Sequence, residues 1–137
     1  MDELNQDTIA KLNKTAKEAV KYAQAKYSHF KVGAALLAES GEIFPGTNVE
    51  SSSYSLTLCA ERVALVKALS EGTTRFKAIS IFAEKLDFCP PCGACRQLLY
   101  DYAPDIDVYL TNGSEYKKYS LKELLPHAFD ESQLKNI

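Results

Sequence analysis

Three of the chain's four cysteines fall within one segment, Phe88-Cys89-Pro90-Pro91-Cys92-Gly93-Ala94-Cys95-Arg96. Such spacing serves a disulfide, a redox dithiol, an iron–sulfur site or a zinc site. Cys89, Cys92 and Cys95 match the start of a ferredoxin-type run. Its next cysteine should follow four residues on, then proline, where this chain has Leu99 and Tyr100. A redox Cys-x-x-Cys at the head of a helix fits Cys92 and Cys95, but it leaves the fourth cysteine, Cys59, without a duty. Zinc uses more of the pattern. Cys92 and Cys95 have normal ligand spacing, and Cys59 supplies a third thiolate. Three protein ligands plus water is the catalytic form of zinc, and a fourth protein ligand makes a structural site. The residues that could close the site are Cys89, His29 and His127. Pro90-Pro91 holds Cys89 extended, so it reads as an idle thiol, and the two histidines read as surface or packing residues.

Three thiolates around Zn²⁺ leave a net negative site, which blunts the metal's power to acidify water. Arg62 and Arg96 are close enough in sequence to offset this by donating hydrogen bonds to sulfur. Cys59-Ala60-Glu61 adds a carboxylate beside the metal. A zinc deaminase needs such a group, outside the ligand set, to shuttle protons. Positions two apart diverge in a regular helix. In a first turn they can converge, because side chains lean toward the N-terminus.

These residues must be positioned by their elements. Ile9, Leu12, Ala16, Ala19, Val20 and Ala23 form one apolar face of a helix over about residues 8–25, with Asp7 as its N-cap. VGAALLA, then Ser40-Gly41, then EIFPG predicts a β-hairpin. A helix runs from Cys59 to about Ser70 and ends at Gly72. Lys77 to Ala83 reads as a buried strand. Pro91 suits the first turn of a helix reaching about Tyr102. Asp105 to Thr111 is a fourth strand, Asn112-Gly113 a turn, and Leu121–Leu125 a short helix. The order α-β-β-α-β-α-β implies an α/β fold, a mixed sheet with helices on its faces. Each of two helices opens on a cysteine, where sites form in open α/β sheets.

The 137 residues are expected to make a single domain, 1–137. A net charge of −2 and scattered lysines argue against a nucleic-acid surface. Lys117-Lys118, the one adjacent basic pair, reads as solvated surface. No apolar run reaches membrane-spanning length. The polar N-terminus predicts no signal peptide, hence a cytoplasmic, reducing location where structural disulfides are rare.

Taken together, Cys59-x-Glu61 and Pro91-Cys92-x-x-Cys95 make the zinc-deaminase signature, with Cys in its His position. The stretches TLCAER (57–62), PCGACRQ (91–97), YSHFKVGAAL (27–36), TNVESSSY (47–54) and LLPHAF (124–129) extend the match. The chain resembles the small homotetrameric cytidine deaminases over nearly its whole length. The resemblance implies hydrolytic deamination of cytidine and deoxycytidine in pyrimidine salvage, with one Zn²⁺ per subunit. Cys59, Cys92 and Cys95 would bind zinc and Glu61 would shuttle protons. Asn48 and Glu50 would hold the ribose, chiefly its 3′-hydroxyl, and the Ala60 N–H would meet the base carbonyl. Phe30 would pack on the nucleoside, and Phe129 would reach in from a neighbouring subunit. The chain departs from the family at Lys26, commonly Pro, and at Ser51, commonly Asn, which could loosen the ribose loop. Three rivals differ in testable ways. A blasticidin-type deaminase shares the zinc motifs, but Asn48-Val49-Glu50 argues against it. Nucleic-acid editors usually carry His-x-Glu and a basic groove. A non-catalytic zinc module gives Glu61 nothing to do.

Overall fold

The computed structural model describes residues 3–134. Five strands form one mixed sheet in the order β2-β1-β3-β4-β5: β1 (Val32–Ala38), β2 (Ile43–Thr47), β3 (Phe76–Ala83), β4 (Asp107–Thr111) and β5 (Tyr116–Ser120). The main helices are α1 (Gln6–Ala19), α2 (Ala60–Ser70) and α3 (Gly93–Tyr102), with a one-turn α4 (Leu121–Leu124). This is the mixed sheet with helices on its faces expected from the sequence.

The sheet is covered on both sides, which is why VGAALLA reads as one apolar run. Alternate residues of β1 point opposite ways. Ala34, Leu36 and Ala38 join Ile79, Ile81, Val108 and Leu110 beneath α2 and α3. Ala35 and Leu37 join Ala78, Phe82 and Tyr109 beneath Ile9, Leu12, Ala16 and Val20 of the N-terminal helical segment.

Strand direction decides where the chemistry gathers. β2 and β3 are both antiparallel to β1, so they point the same way although β1 lies between them. The helix after each strand therefore starts at the same edge of the sheet. β1 begins at that edge too. Residues 24–31, the loop 48–59 and the loop 84–92 consequently meet there. Gly46 sets the depth of α2 on β2, since a Cβ there would lie 2.5 Å from Ala60 O and 2.6 Å from Ala64 N. Any other residue would lift off the helix that carries Cys59 and Glu61.

The structure corrects several expectations. Asn5, not Asp7, caps α1: its side chain accepts from Thr8 N–H at 2.8 Å. The α-helix ends at Ala19, and a 3-10 turn over Val20–Tyr22 turns the chain away. Ala23 is therefore outside that helix. Pro91 precedes the N-cap of α3, which is Cys92. The strand YKKYS was not foreseen. It is an edge strand whose two lysines are exposed, so it carries little of the apolar signal of a strand.

Gly46→Ala is expected to lower the unfolding free energy by about 1–3 kcal/mol, the cost of overpacking. Gly93→Ala, whose added Cβ meets nothing within 4 Å, should not lower it. Urea unfolding of the two variants checks the contrast.

Candidate metal centre and catalytic site

Cys59 and Cys92 each occupy the N-cap of a helix, α2 and α3, with extended backbone. An N-cap is normally Ser, Thr, Asp or Asn, whose side chain is spent on a backbone N–H of the first turn. Neither cysteine makes such a bond, so both sulfurs are free to face each other. Their Sγ atoms are 3.7 Å apart. Cys95 is the third residue inside α3. The N-cap and this position are the pair whose side chains meet in a capping box, so Cys-x-x-Cys at a helix start brings two sulfurs together.

The Sγ atoms of Cys59, Cys92 and Cys95 all lie within 4.8 Å of one another. Tetrahedral zinc with bonds of about 2.3 Å needs sulfurs about 3.8 Å apart. The donor set and spacing thus fit zinc. The thiols' own electrostatics point the same way. A hydrogen bond from the Cys95 thiol is the largest influence pulling Cys59 down to about 6, helped by Cys92 and the Arg62 charge and opposed by burial. The same bond, and burial, push Cys95 up. One thiolate forms readily and resists the next, a conflict that a cation among the sulfurs removes.

Cys89 lies outside this group. Its thiol is half-buried and directed at Pro90 O at 3.7 Å, and burial pushes its pKa up. Among the described residues no other group of three His, Cys, Asp or Glu side chains comes together in this way. His29 and His127 are exposed.

Glu61, the second residue inside α2, is buried, with 4% exposure. Burial pushes its carboxyl up to about 7, and the charge of Cys59 adds to this. Its own backbone N–H, the Cys95 thiol and the Arg62 charge pull the other way. A buried carboxyl in contact with the sulfur group is thus present without joining it. The Ala60 N–H stands at the first position of α2, where a helix offers no internal acceptor.

Arg62 bears on Cys59 and Glu61 through its charge, rather than through the hydrogen bond to sulfur expected of it. Arg96 differs. Its Nε donates to Pro91 O at 2.8 Å and its Nη1 to Leu124 O at 2.7 Å. Instead of serving sulfur, it fastens the loop just before Cys92 to the end of α4.

A second group lies on the same sheet edge. Val49 and Leu58 exchange backbone hydrogen bonds of 2.9 Å, so Asn48-Val49-Glu50 is fastened to the residue preceding Cys59. The Asn48 amide donates to Phe30 O at 2.8 Å and, at 3.4 Å, to Glu50 Oε2; its oxygen accepts from Val32 N–H at 3.0 Å. Glu50 Oε1 accepts from the N–H groups of Tyr27 and Ser28, and Oε2 from the Ser28 hydroxyl. These bonds, that hydroxyl foremost, hold its pKa below the usual carboxylate value. A cavity of about 270 Å³ opens beside it, lined by Tyr27, Ser28, Glu50, Ser51, Tyr54 and Thr57. Ser51 N–H donates to Thr57 Oγ1 at 3.0 Å, so this loop is pinned with serine at that position. Phe30 is half-buried. Phe129 is 56% exposed and lines a groove along α3 that contains none of the thiols; its carbonyl accepts from Gln97. The sequence expectations give Ser28, within the YSHF stretch, no role of its own. The signal was a hydroxyl residue two positions before an aromatic one, the spacing of a side-chain turn.

Comparison with known proteins agrees with this geometry. The family model of the cytidine and deoxycytidylate deaminase zinc-binding region matches residues 6–111. The cytidine deaminase of Halalkalibacterium halodurans is 47% identical, covering 86% of this chain and 91% of that one. The cytidine deaminase of Sporosarcina psychrophila is 44% identical over 92% of this chain and 94% of that one. The crystal structure of cytidine deaminase from Burkholderia pseudomallei superposes with a TM-score of 0.84 at 42% identity, covering 92% of this chain and all of that one.

Replacing Cys59, Cys92 or Cys95 by Ser is expected to strip zinc from the purified protein, while Cys89→Ser retains a wild-type metal content. Metal analysis after dialysis against a weak chelator checks this. Zinc loss in Cys89→Ser would overturn the three-thiolate arrangement.

Proposed function

The chain belongs to the cytidine and deoxycytidylate deaminase family, and from that premise we propose that it hydrolyses cytidine and deoxycytidine to uridine, deoxyuridine and ammonia. The observation that carries the proposal is the buried carboxyl of Glu61 set against three convergent thiols. Zinc is the cofactor, held one per subunit by Cys59, Cys92 and Cys95, and when bound it supplies Lewis-acid activation of a water.

Glu61 does the proton work. Its carboxylate takes a proton from the water as the oxygen attacks C4 of the pyrimidine, and delivers it to N3. It then carries the second proton of that water to the exocyclic amino group. The C4–N bond breaks as the C4 carbonyl forms, ammonia leaves, and N3 keeps its proton as the N–H of uridine. Burial suits this role, because a carboxyl screened from solvent exchanges its proton with the substrate. The Ala60 N–H meets the base carbonyl. Arg62 offsets the negative charge of the sulfur group, and Arg96 holds the loop that presents Cys92.

Asn48 and Glu50 bind the sugar. The 3.4 Å separation between Asn48 Nδ2 and Glu50 Oε2 is a long contact. A hydroxyl, donor and acceptor at once, replaces it by accepting from Asn48 and donating to Glu50. Phe30 packs on the nucleoside. The cavity beside Glu50 is rimmed by Tyr54, 80% exposed, and by Tyr27. Together with Phe129, these exposed rings support a homotetramer in which neighbouring copies complete each site. Four free thiols support a cytoplasmic location, and it is the proposed reaction, nucleoside deamination, that supports a place in pyrimidine salvage. Among the described residues no helix is long and apolar enough to cross a membrane.

Zinc-replete protein mixed with cytidine should show the ultraviolet change to uridine, and blasticidin S should turn over far more slowly. Zinc-bound protein that leaves cytidine intact would overturn the proposal. Glu61→Gln should keep its zinc yet lose roughly 10²–10⁴-fold or more in kcat, read in the same assay. Phe129→Ala should lower kcat/KM in an enzyme that sediments at four chain masses; a monomer at assay concentration would refute the shared site.

A further inference from the structure

We infer that Ser28 is a positioning residue for the sugar subsite, setting Glu50 and Phe30 in register with each other. The inference rests on the reading of Glu50 as the carboxylate that binds the sugar.

Ser28 makes three bonds with two groups. Its N–H donates to Glu50 Oε1 at 2.9 Å, and its hydroxyl donates to Glu50 Oε2. The same Oγ accepts from Phe30 N–H at 3.0 Å. A hydroxyl has one proton, and here it is committed to Glu50, while a lone pair is committed to Phe30. This fixes the Ser28 rotamer and couples the carboxylate to the ring's backbone. Tyr27 N–H completes the grip on Oε1 at 3.0 Å. The turn that permits all of this passes through His29, a non-glycine residue at φ 56. That left-handed conformation persists only where the surroundings over-determine it, and the bonds from Ser28 and Phe30 on either side supply part of that constraint. Asn48 closes the arrangement from the other side through Phe30 O and Val32 N–H.

The network orients Glu50 rather than merely holding the fold. A carboxylate offers about four acceptor positions. Three are fixed by Tyr27 N–H, Ser28 N–H and the Ser28 hydroxyl, which leaves the position shared weakly with Asn48 as the one turned to a sugar hydroxyl. Loss of the Ser28 hydroxyl frees Oε2 to rotate and removes the acceptor for Phe30. The sulfur group and Glu61 take no hydrogen bond from Ser28.

The test compares cytidine with 3′-deoxycytidine in the zinc-loaded wild type and in Ser28→Ala, Ser28→Cys and Ser28→Thr, with zinc content measured for each. Wild type should prefer cytidine by roughly tenfold or more, the worth of a hydrogen bond to a charged group. Ser28→Ala should lose most of that preference, chiefly through a higher KM for cytidine, with a distinctly smaller fall in kcat/KM for 3′-deoxycytidine, the part that passes through Phe30. Ser28→Thr, which keeps the hydroxyl, should restore it. Ser28→Cys, nearly isosteric and a weak donor, should behave like Ser28→Ala and serves if that variant does not fold. An equal loss on both substrates, or a preserved preference, overturns the inference while leaving the sugar reading of Glu50 intact. A wild type without the preference overturns that reading and this inference with it.

Discussion

Three sulfurs within 4.8 Å of one another set the terms for the rest of this molecule. Left to themselves they cannot all ionise, because each thiolate raises the cost of the next. The fold answers in two ways. It aims two helix N-termini at the group, where positive dipole ends favour negative charge. It also leaves the capping sulfurs without helical partners, available to a cation. The first depends on β2 and β3 running the same way, because a reversal of either strand would send its helix start to the far edge.

The Asn48–Glu50 group is built on different physics. Most of its contacts are hydrogen bonds between a side chain and backbone, and Ser28 and Asn48 add side-chain bonds to Glu50. Its precision comes from linkage to the sulfur group through Val49 and Leu58, and to β1 through Asn48 and Val32. The two halves of the site are therefore ruled from one sheet edge. A nucleoside spanning them meets a distance set by strand pairing rather than by loop packing.

Much of this was legible in the sequence, for identifiable reasons. VGAALLA marks β1 with its observed ends, since a strand covered on both faces leaves an unbroken apolar run. The sulfur group was legible because Cys-x-x-Cys is a helix-start spacing whatever the surrounding fold. Asn5 and Asp7 can both cap a helix, and only the bond to Thr8 N–H distinguishes them. Arg96 is close to Cys95 in sequence, which points it at sulfur. Its partners, Pro91 and Leu124, sit five and 28 residues away along the chain and could be found only once α4 was placed. β5 was missed because an edge strand with exposed lysines hides the alternation that marks a strand. Ser28 is legible only as a side-chain turn toward Phe30, because its other partner, Glu50, is 22 residues distant and no local pattern joins those two.

The single chain builds the floor of this site more completely than its walls. Glu61 and Asn48 are buried and Glu50 is gripped on both oxygens, yet the side chains around the Glu50 cavity face outward. Tyr54 is 80% exposed and Leu56, in the same turn, 66%. Scattered exposed apolar residues are ordinary, but these are contiguous with a polar subsite that must exclude water to discriminate between hydroxyls. The turn that carries them, Tyr54–Leu56, is one 3-10 turn between two pinned loop ends, so it has little freedom to fold over the cavity. The homotetramer proposed above would satisfy both constraints, because a second copy of the chain would bury the rings where they stand and complete the walls without moving the floor.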